Sequence, residues 1–260
     1  DDDEEDLMDY VKNMKSKKLT IRQRGIFLLP NLLTTAAIFS GFYGIVSAIH
    51  GEFSAAAAAI FVAQILDGMD GRVARITNTQ SEFGAQYDSM ADVTSFAIAP
   101  AVIMYLWAFS ELGQLGLFAA FVHAAGGALR LARFNTQLEV ADKRYFQGLP
   151  SPPAAAIIAG YIWISEAYSF GFDEGAFRYF ALLLAIMTGL LMVSNFPYYS
   201  FKDIDVKSRV SFVVTIGVML VIGIIFAEPA IMLFLMAMSY AVSGPIVALL
   251  ARQRRMAKKN

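Results

Sequence analysis

The chain has 260 residues, 57% of them apolar and 13% aromatic against 17% charged, and a mean hydropathy of +0.53, which excludes an ordinary soluble domain and points to an integral membrane protein. It has no cysteine, so disulfide frameworks and thiolate chemistry are excluded. Its two histidines, His50 and His123, are too few and too distant for a histidine-built metal site, so any metal must be held by oxygen. The net charge of −1 hides an asymmetry, because seven of the 22 acids lie in residues 1–9 and the remaining 15 face all 21 bases.

The acidic head reads as a solvated, disordered tail, and residues 1–28 as a cytoplasmic tail with a juxtamembrane segment. No cleavable signal peptide is expected, since the first long apolar run begins near Ile26 and has no small-residue cleavage site after it. Judged against about 20 residues per crossing, apolar runs of spanning length fall at 29–50, 54–76, 84–109, 114–137, 151–168, 177–196, 210–226 and 230–250. This pattern predicts an all-α polytopic membrane helix bundle of about eight transmembrane helices. Residues 29–200 are expected to form a core, and 201–260 two further helices with a basic tail.

Lysine and arginine collect in cytoplasmic loops. Here they gather before the first helix, at Lys143 and Arg144 after the fourth, at Lys202 and Lys207 after the sixth, and in "RQRRMAKKN" at the end. Both termini are therefore expected in the cytoplasm, which agrees with an even helix count. The opposite loops hold Glu52, Glu111, Asp173, Glu174 and Glu228, with Arg178 as the exception. Trp107 and Trp163 fall toward the outer ends of their helices, where either interfacial anchoring or core packing accounts for them.

The second and third helices contain "QILDGMDGRVARITNTQSEFGAQYDSMAD", Gln64 to Asp92. If they form an antiparallel hairpin turning near Thr79, Asp70 and Asp88 lie at one depth and Asp67 and Asp92 at a deeper one, giving two rungs of carboxylates. At about 1.5 Å rise per residue, Asp67 to Asp70 covers roughly 4.5 Å and Asp88 to Asp92 roughly 6 Å. That suits a pair of hard cations about 3.5–4 Å apart. Four like charges in a poorly solvated site need compensation, which divalent cations supply, and oxygen-only ligation favours Mg2+ or Mn2+. Asp67, Asp88 and Asp92 lie inside their helices, so end-capping does not explain them. Gly71, Ala74 and Gly84 remove bulk beside the carboxylates, either for close helix packing or for a ligand slot. Of the two nearby arginines, Arg75 shares the facing direction and Arg72 does not.

The pattern D-x2-D-G-x2-A-R-x8-G-x3-D-x3-D, Asp67 to Asp92, is the signature of the CDP-alcohol phosphotransferase family, matched at every fixed position. "LPNLLTTAAIFSGFYGI", "LRLARFNTQ", "YFQGLPSPPAAA" and "SNFPYYSFK" further resemble its membrane-embedded members that form phosphatidylserine. The resemblance implies a six-helix catalytic core and a transfer of phosphatidyl from CDP-diacylglycerol to L-serine with release of CMP. It further implies that Asp67, Asp70, Asp88 and Asp92 hold two divalent cations, and that Asp92 also takes the serine proton. Gly71, Ala74 and Arg75 would contact CDP, with Asn31, Thr34 and Ser81 beside them. For Asn31 a helix N-cap, and for Ser81 a satisfied turn, stay open as alternatives.

Serine brings a carboxylate, for which Arg130 and Arg133 are the natural partners, with snorkelling to headgroups the competing role of each. Asn135, Gln147, Ser151 and Lys202 stand as second-line contacts, and His123 as a packed bundle residue. The resemblance also implies a homodimer in a prokaryotic cell membrane, with the active site facing the cytoplasm, membrane lipids as partners and no nucleic acid. Glycerol phosphate, inositol phosphate or choline is the alternative acceptor. A cation-coupled transporter is the alternative class, although it would place broken helices or paired repeats near the midplane.

Overall fold

A computed structural model of the chain describes residues 21–137, 145–168, 174–200 and 212–257. The acidic head, Lys143, Arg144, Asp173, Lys202, Lys207 and the last three residues lie outside the described residues.

Nine α-helices are present among the described residues. They are α1 (Ile21–Ile49), α2 (Phe53–Ile76), α3 (Glu82–Asp92), α4 (Ala99–Met104), α5 (Gly113–Gln137), α6 (Ser151–Ala167), α7 (Glu174–Val193), α8 (Phe212–Ala227) and α9 (Pro229–Ala257). The third expected helix is composite: α3 passes through a π turn, Val93–Ile98, into α4, and a second π turn, Tyr105–Phe109, and a 3-10 turn, Ser110–Leu112, complete the rod. The apolar pattern alone could not locate these irregular turns, because a single inserted residue barely disturbs its periodicity.

The first helix also departs from expectation. It starts at Ile21 and contains Pro30 in its interior, so Asn31 is a helix-interior residue and not an N-cap. One further feature is new. Tyr145–Gln147 (β1) pairs antiparallel with Pro197–Tyr199 (β2), joining Phe146 to Tyr198, in segments expected as loops. Three-residue strands are too short to show an alternating pattern.

Among the described residues, five stretches are long and apolar enough to cross a membrane: Leu28–Ile49, Phe53–Ile76, Glu82–Thr136, Gly175–Val193 and Pro229–Ala251. The longest folds back on itself at Gly113, whose φ of 57° lies in the left-handed region. The 17 residues of α6 and the 16 of α8 fall short of that spanning length.

Small residues set how closely the rods approach. Ser40 donates to the Ala59 carbonyl at 2.7 Å, tying α1 to the alanine run of α2. Where α5 crosses α7, a Cβ on Gly126 would stand 2.5 Å from the Gly189 carbonyl oxygen, and one on Gly189 would stand 2.4 Å from that of Val122. The backbones are in contact there, as membrane helices allow when side chains are absent. One core, including Ile60, Phe96, Ile103, Met104, Phe109, Ile157 and Leu184, runs through α2 to α7. In contrast, α8 exposes Met219, Leu220 and Phe226 and makes its main packing contact with α9.

Candidate active site

The site is built on the hairpin of α2 and α3. Thr77 ends α2, Asn78 takes a left-handed φ of 53°, and Ser81 opens α3 by accepting the Gly84 N–H at 3.0 Å. Ser81 is thus the N-cap of α3, and it satisfies the turn. This geometry fixes the depth of everything along both helices.

From the turn inward, the four aspartates meet in pairs. The Asp70 carboxyl stands beside that of Asp88, and the Asp67 carboxyl beside those of Asp88 and Asp92. Oxygens of Asp67, Asp70 and Asp88 all lie within 4.8 Å of one another. Asp70 is buried and is anchored from α1 by Thr34, whose hydroxyl stands 2.6 Å from it, and by the Gly71 N–H. One buried oxygen on Asp88 and one on Asp92 have no hydrogen-bond partner. Asp92 is the last residue of α3, at the junction with the π turn.

Beside this cluster opens a cavity of about 530 Å³. Its walls include Asn31, Thr34, Gly71, Ala74, Arg75 and Ser81, together with Asp70 and Asp88. Gly71 is not a packing glycine, since a Cβ there would meet nothing within 4 Å. Arg75 reaches back from the mouth, its Nε donating to the Gly71 carbonyl at 3.1 Å, while Arg72 is exposed and not part of the wall. Phe134, from α5, also lines the cavity and had no signal in the sequence beyond its place in "LRLARFN".

The two arginines of α5 differ. Arg130 is only 8% exposed, lies in electrostatic range of Asp92 and of Tyr240 on α9, and has an unpartnered Nε. Arg133 is partly buried and its Nη2 donates to the side-chain carbonyls of Gln147 on β1 and Asn195, the latter at 2.6 Å. Neither lines the cavity. Among the second-line candidates, Asn135 accepts from Ser89, Gln147 accepts from Arg133, and Ser151 is buried with an unpartnered Oγ.

Sequence reasoning did not single out Tyr240. Its hydroxyl donates to the Tyr199 carbonyl at 2.9 Å, and its ring lies 5.4 Å from that of Tyr198. Burial pushes the Tyr198 hydroxyl up to about 12, so it stays a donor, here to the Ala241 carbonyl at 2.8 Å. The ribbon thereby ties α9 to the arginine end of α5.

Comparison with known proteins identifies the family. The family model described as CDP-alcohol phosphatidyltransferase matches residues 27–193. A Helicobacter pylori protein named CDP-diacylglycerol–serine O-phosphatidyltransferase is 36% identical over 223 residues, covering 85% of this chain and 91% of its own. A Methanocaldococcus jannaschii protein of the same name is 33% identical over 180 residues, 69% of this chain and 78% of its own. An archaetidylserine synthase of Methanothermobacter thermautotrophicus is 33% identical over 187 residues, 71% and 73% respectively.

Proposed function

Because the chain belongs to the CDP-alcohol phosphatidyltransferase family, we propose that it transfers the phosphatidyl group of CDP-diacylglycerol to the hydroxyl of L-serine, giving phosphatidylserine and CMP. The observation that carries the reading is the carboxylate cluster beside a cavity whose walls combine small residues, hydroxyls and Arg75. Serine as acceptor is supported by the names of the relatives.

The aspartates suit two divalent cations, Mg2+ or Mn2+, since they offer only oxygen and leave buried oxygens of Asp88 and Asp92 unspent. When bound, such cations neutralise the diphosphate and stabilise the departing CMP. Asp67, Asp70 and Asp88, with Asp92 at the edge, are the residues assigned to hold them.

The chain's own groups do the rest. Gly71 and Ala74 leave space for the diphosphate to approach α2, and Arg75 adds charge-assisted hydrogen bonds at the mouth. Asn31, Thr34 and Ser81 line the nucleotide side. Arg130 receives the serine carboxylate, and Arg133, with one nitrogen already spent on Gln147 and Asn195, contributes its charge from one turn away. Asp92 takes the proton from the serine hydroxyl as its oxygen forms the new bond to phosphorus, while the phosphorus–oxygen bond to CMP breaks and CMP leaves as the anion.

The reading has the cavity open to the cytoplasmic face of a prokaryotic cell membrane. Arg72, Arg75, Arg130 and Arg133 lie toward the hairpin end, and the Arg178–Glu111 pair and Glu228 lie at the far ends of the helices.

Purified protein supplied with CDP-diacylglycerol, serine and Mn2+ or Mg2+ is expected to release CMP, and chelation to stop it. No CMP release would sink the reading, and preference for glycerol 3-phosphate or inositol phosphate over serine would move it to another acceptor. Asp92→Asn is expected to abolish turnover while CDP-diacylglycerol binding stays measurable.

A further inference from the structure

The helix that carries Asp88 and Asp92 does not continue regularly. Pro100 has no N–H, so the carbonyl of Phe96, four residues earlier, loses the donor an α-helix would give it. The chain responds with the π turn Val93–Ile98, in which the Ala99 N–H reaches back to the Thr94 carbonyl. A π turn holds one more residue than an α turn. Restoring plain α-helix there would rotate Asp92 by roughly 100° relative to the packed half of the rod.

Three neighbours hold the turn in place. Ser95 donates to the Ala37 carbonyl of α1 at 3.1 Å. Ala97 is packed so closely on Gly127 that a Cβ on the glycine would stand 2.5 Å away. His123, fully buried on α5, places Nε2 3.3 Å from the Phe96 carbonyl and Nδ1 2.7 Å from the Thr188 hydroxyl on α7. A carbonyl can only accept, so Nε2 carries the proton and Nδ1 is the acceptor facing Thr188, whose single hydroxyl proton has Nδ1 and the Leu184 and Ala185 carbonyls, at 2.9 and 3.0 Å, within reach.

We propose that His123 is a positioning residue for Asp92: by donating to the Phe96 carbonyl it fixes the π turn that aims Asp92 at Asp67 and Arg130. The proposal rests on the reading of Asp92 as the base. Thr188 acts one step further out, holding the ring in the tautomer that donates. Asp67 and Asp70 lie on α2, and the far end of α3 is held by the Ser81 cap at the hairpin, so loss of His123 displaces Asp92, which adjoins the π turn, more than Asp88 a full turn away.

The test compares His123→Leu, His123→Gln and Thr188→Val with the unmodified protein, measuring kcat, KM for CDP-diacylglycerol and melting temperature in detergent. In His123→Leu kcat is expected to fall by about tenfold to a hundredfold, the scale of a misplaced reacting group. KM for CDP-diacylglycerol should stay within a factor of about two, and His123→Gln, which keeps a donor, should recover most of the rate. An unchanged kcat in His123→Leu overturns the proposal. So does a loss shared by kcat and KM that glutamine does not relieve. If His123→Leu does not fold, Thr188→Val decides: a lower kcat at constant KM supports the proposal, and no change overturns it. Wild-type turnover in Asp92→Asn would instead defeat the base itself, whatever the His123 variants do.

Discussion

Gly71 and Arg133 show how single residues divide between holding the protein together and serving its ligand. Gly71 sits inside α2 facing open cavity, so Gly71→Ala should stabilise the helix by about 1 kcal/mol by propensity alone while placing a methyl in the cavity proposed for the nucleotide. A higher melting temperature together with a raised KM for CDP-diacylglycerol is the expected pair of results. Arg133 bridges Gln147 and Asn195, so Arg133→Ala should cost about 1.5–3 kcal/mol, the range for hydrogen bonds to a charged group, and lower the melting temperature more than it raises the KM for serine. Arg130→Ala should do the reverse, because its unpartnered Nε is held in range of Asp92. The aspartates were readable from sequence because charge in an apolar hairpin is conspicuous and its spacing is helical. The difference between the two arginines was not readable, since it depends on Gln147, Asn195 and Tyr240, which lie 14 to 110 residues away along the chain.

Among the elements, the hairpin of α2 and α3 followed from its pattern closely, with the turn falling at Thr77 to Ser81 as the polar run "TNTQS" suggests. What escaped the pattern were the places where the backbone departs from regularity. The π turn after Asp92 arises from one missing N–H at Pro100, and the β1–β2 ribbon from two three-residue segments 50 residues apart. The α5–α7 crossing was equally hidden, because glycines 126 and 189 look like any others until their backbones touch. Gly189→Val should therefore separate the two helices and destabilise the bundle by more than the 1–3 kcal/mol typical of core overpacking, seen as loss of folded protein in detergent. Gly217→Val, on exposed α8 where a Cβ meets nothing, should be tolerated.

Seen as a whole molecule, the protein has a basic end at the hairpin and an acidic end at the opposite loops. The chain contains no cysteine, so single replacements such as Gln80→Cys and Glu111→Cys can be labelled alone. An impermeant thiol reagent should reach Gln80→Cys only from the cytoplasmic side and Glu111→Cys only from the other; the reverse result would invert the orientation. The carboxylate hairpin also bears on how the protein is made. A segment holding four aspartates is a poor passenger for the insertion machinery, where a mid-membrane aspartate costs about 2.5–3.5 kcal/mol. Thr34 already meets Asp70 from α1, and Arg130 on α5 lies in electrostatic range of Asp92. The helices on either side of the hairpin thus offer the partners it lacks alone, so α2 and α3 should settle in the bilayer as a late, cooperative unit whose entry waits for α5 to emerge from the ribosome.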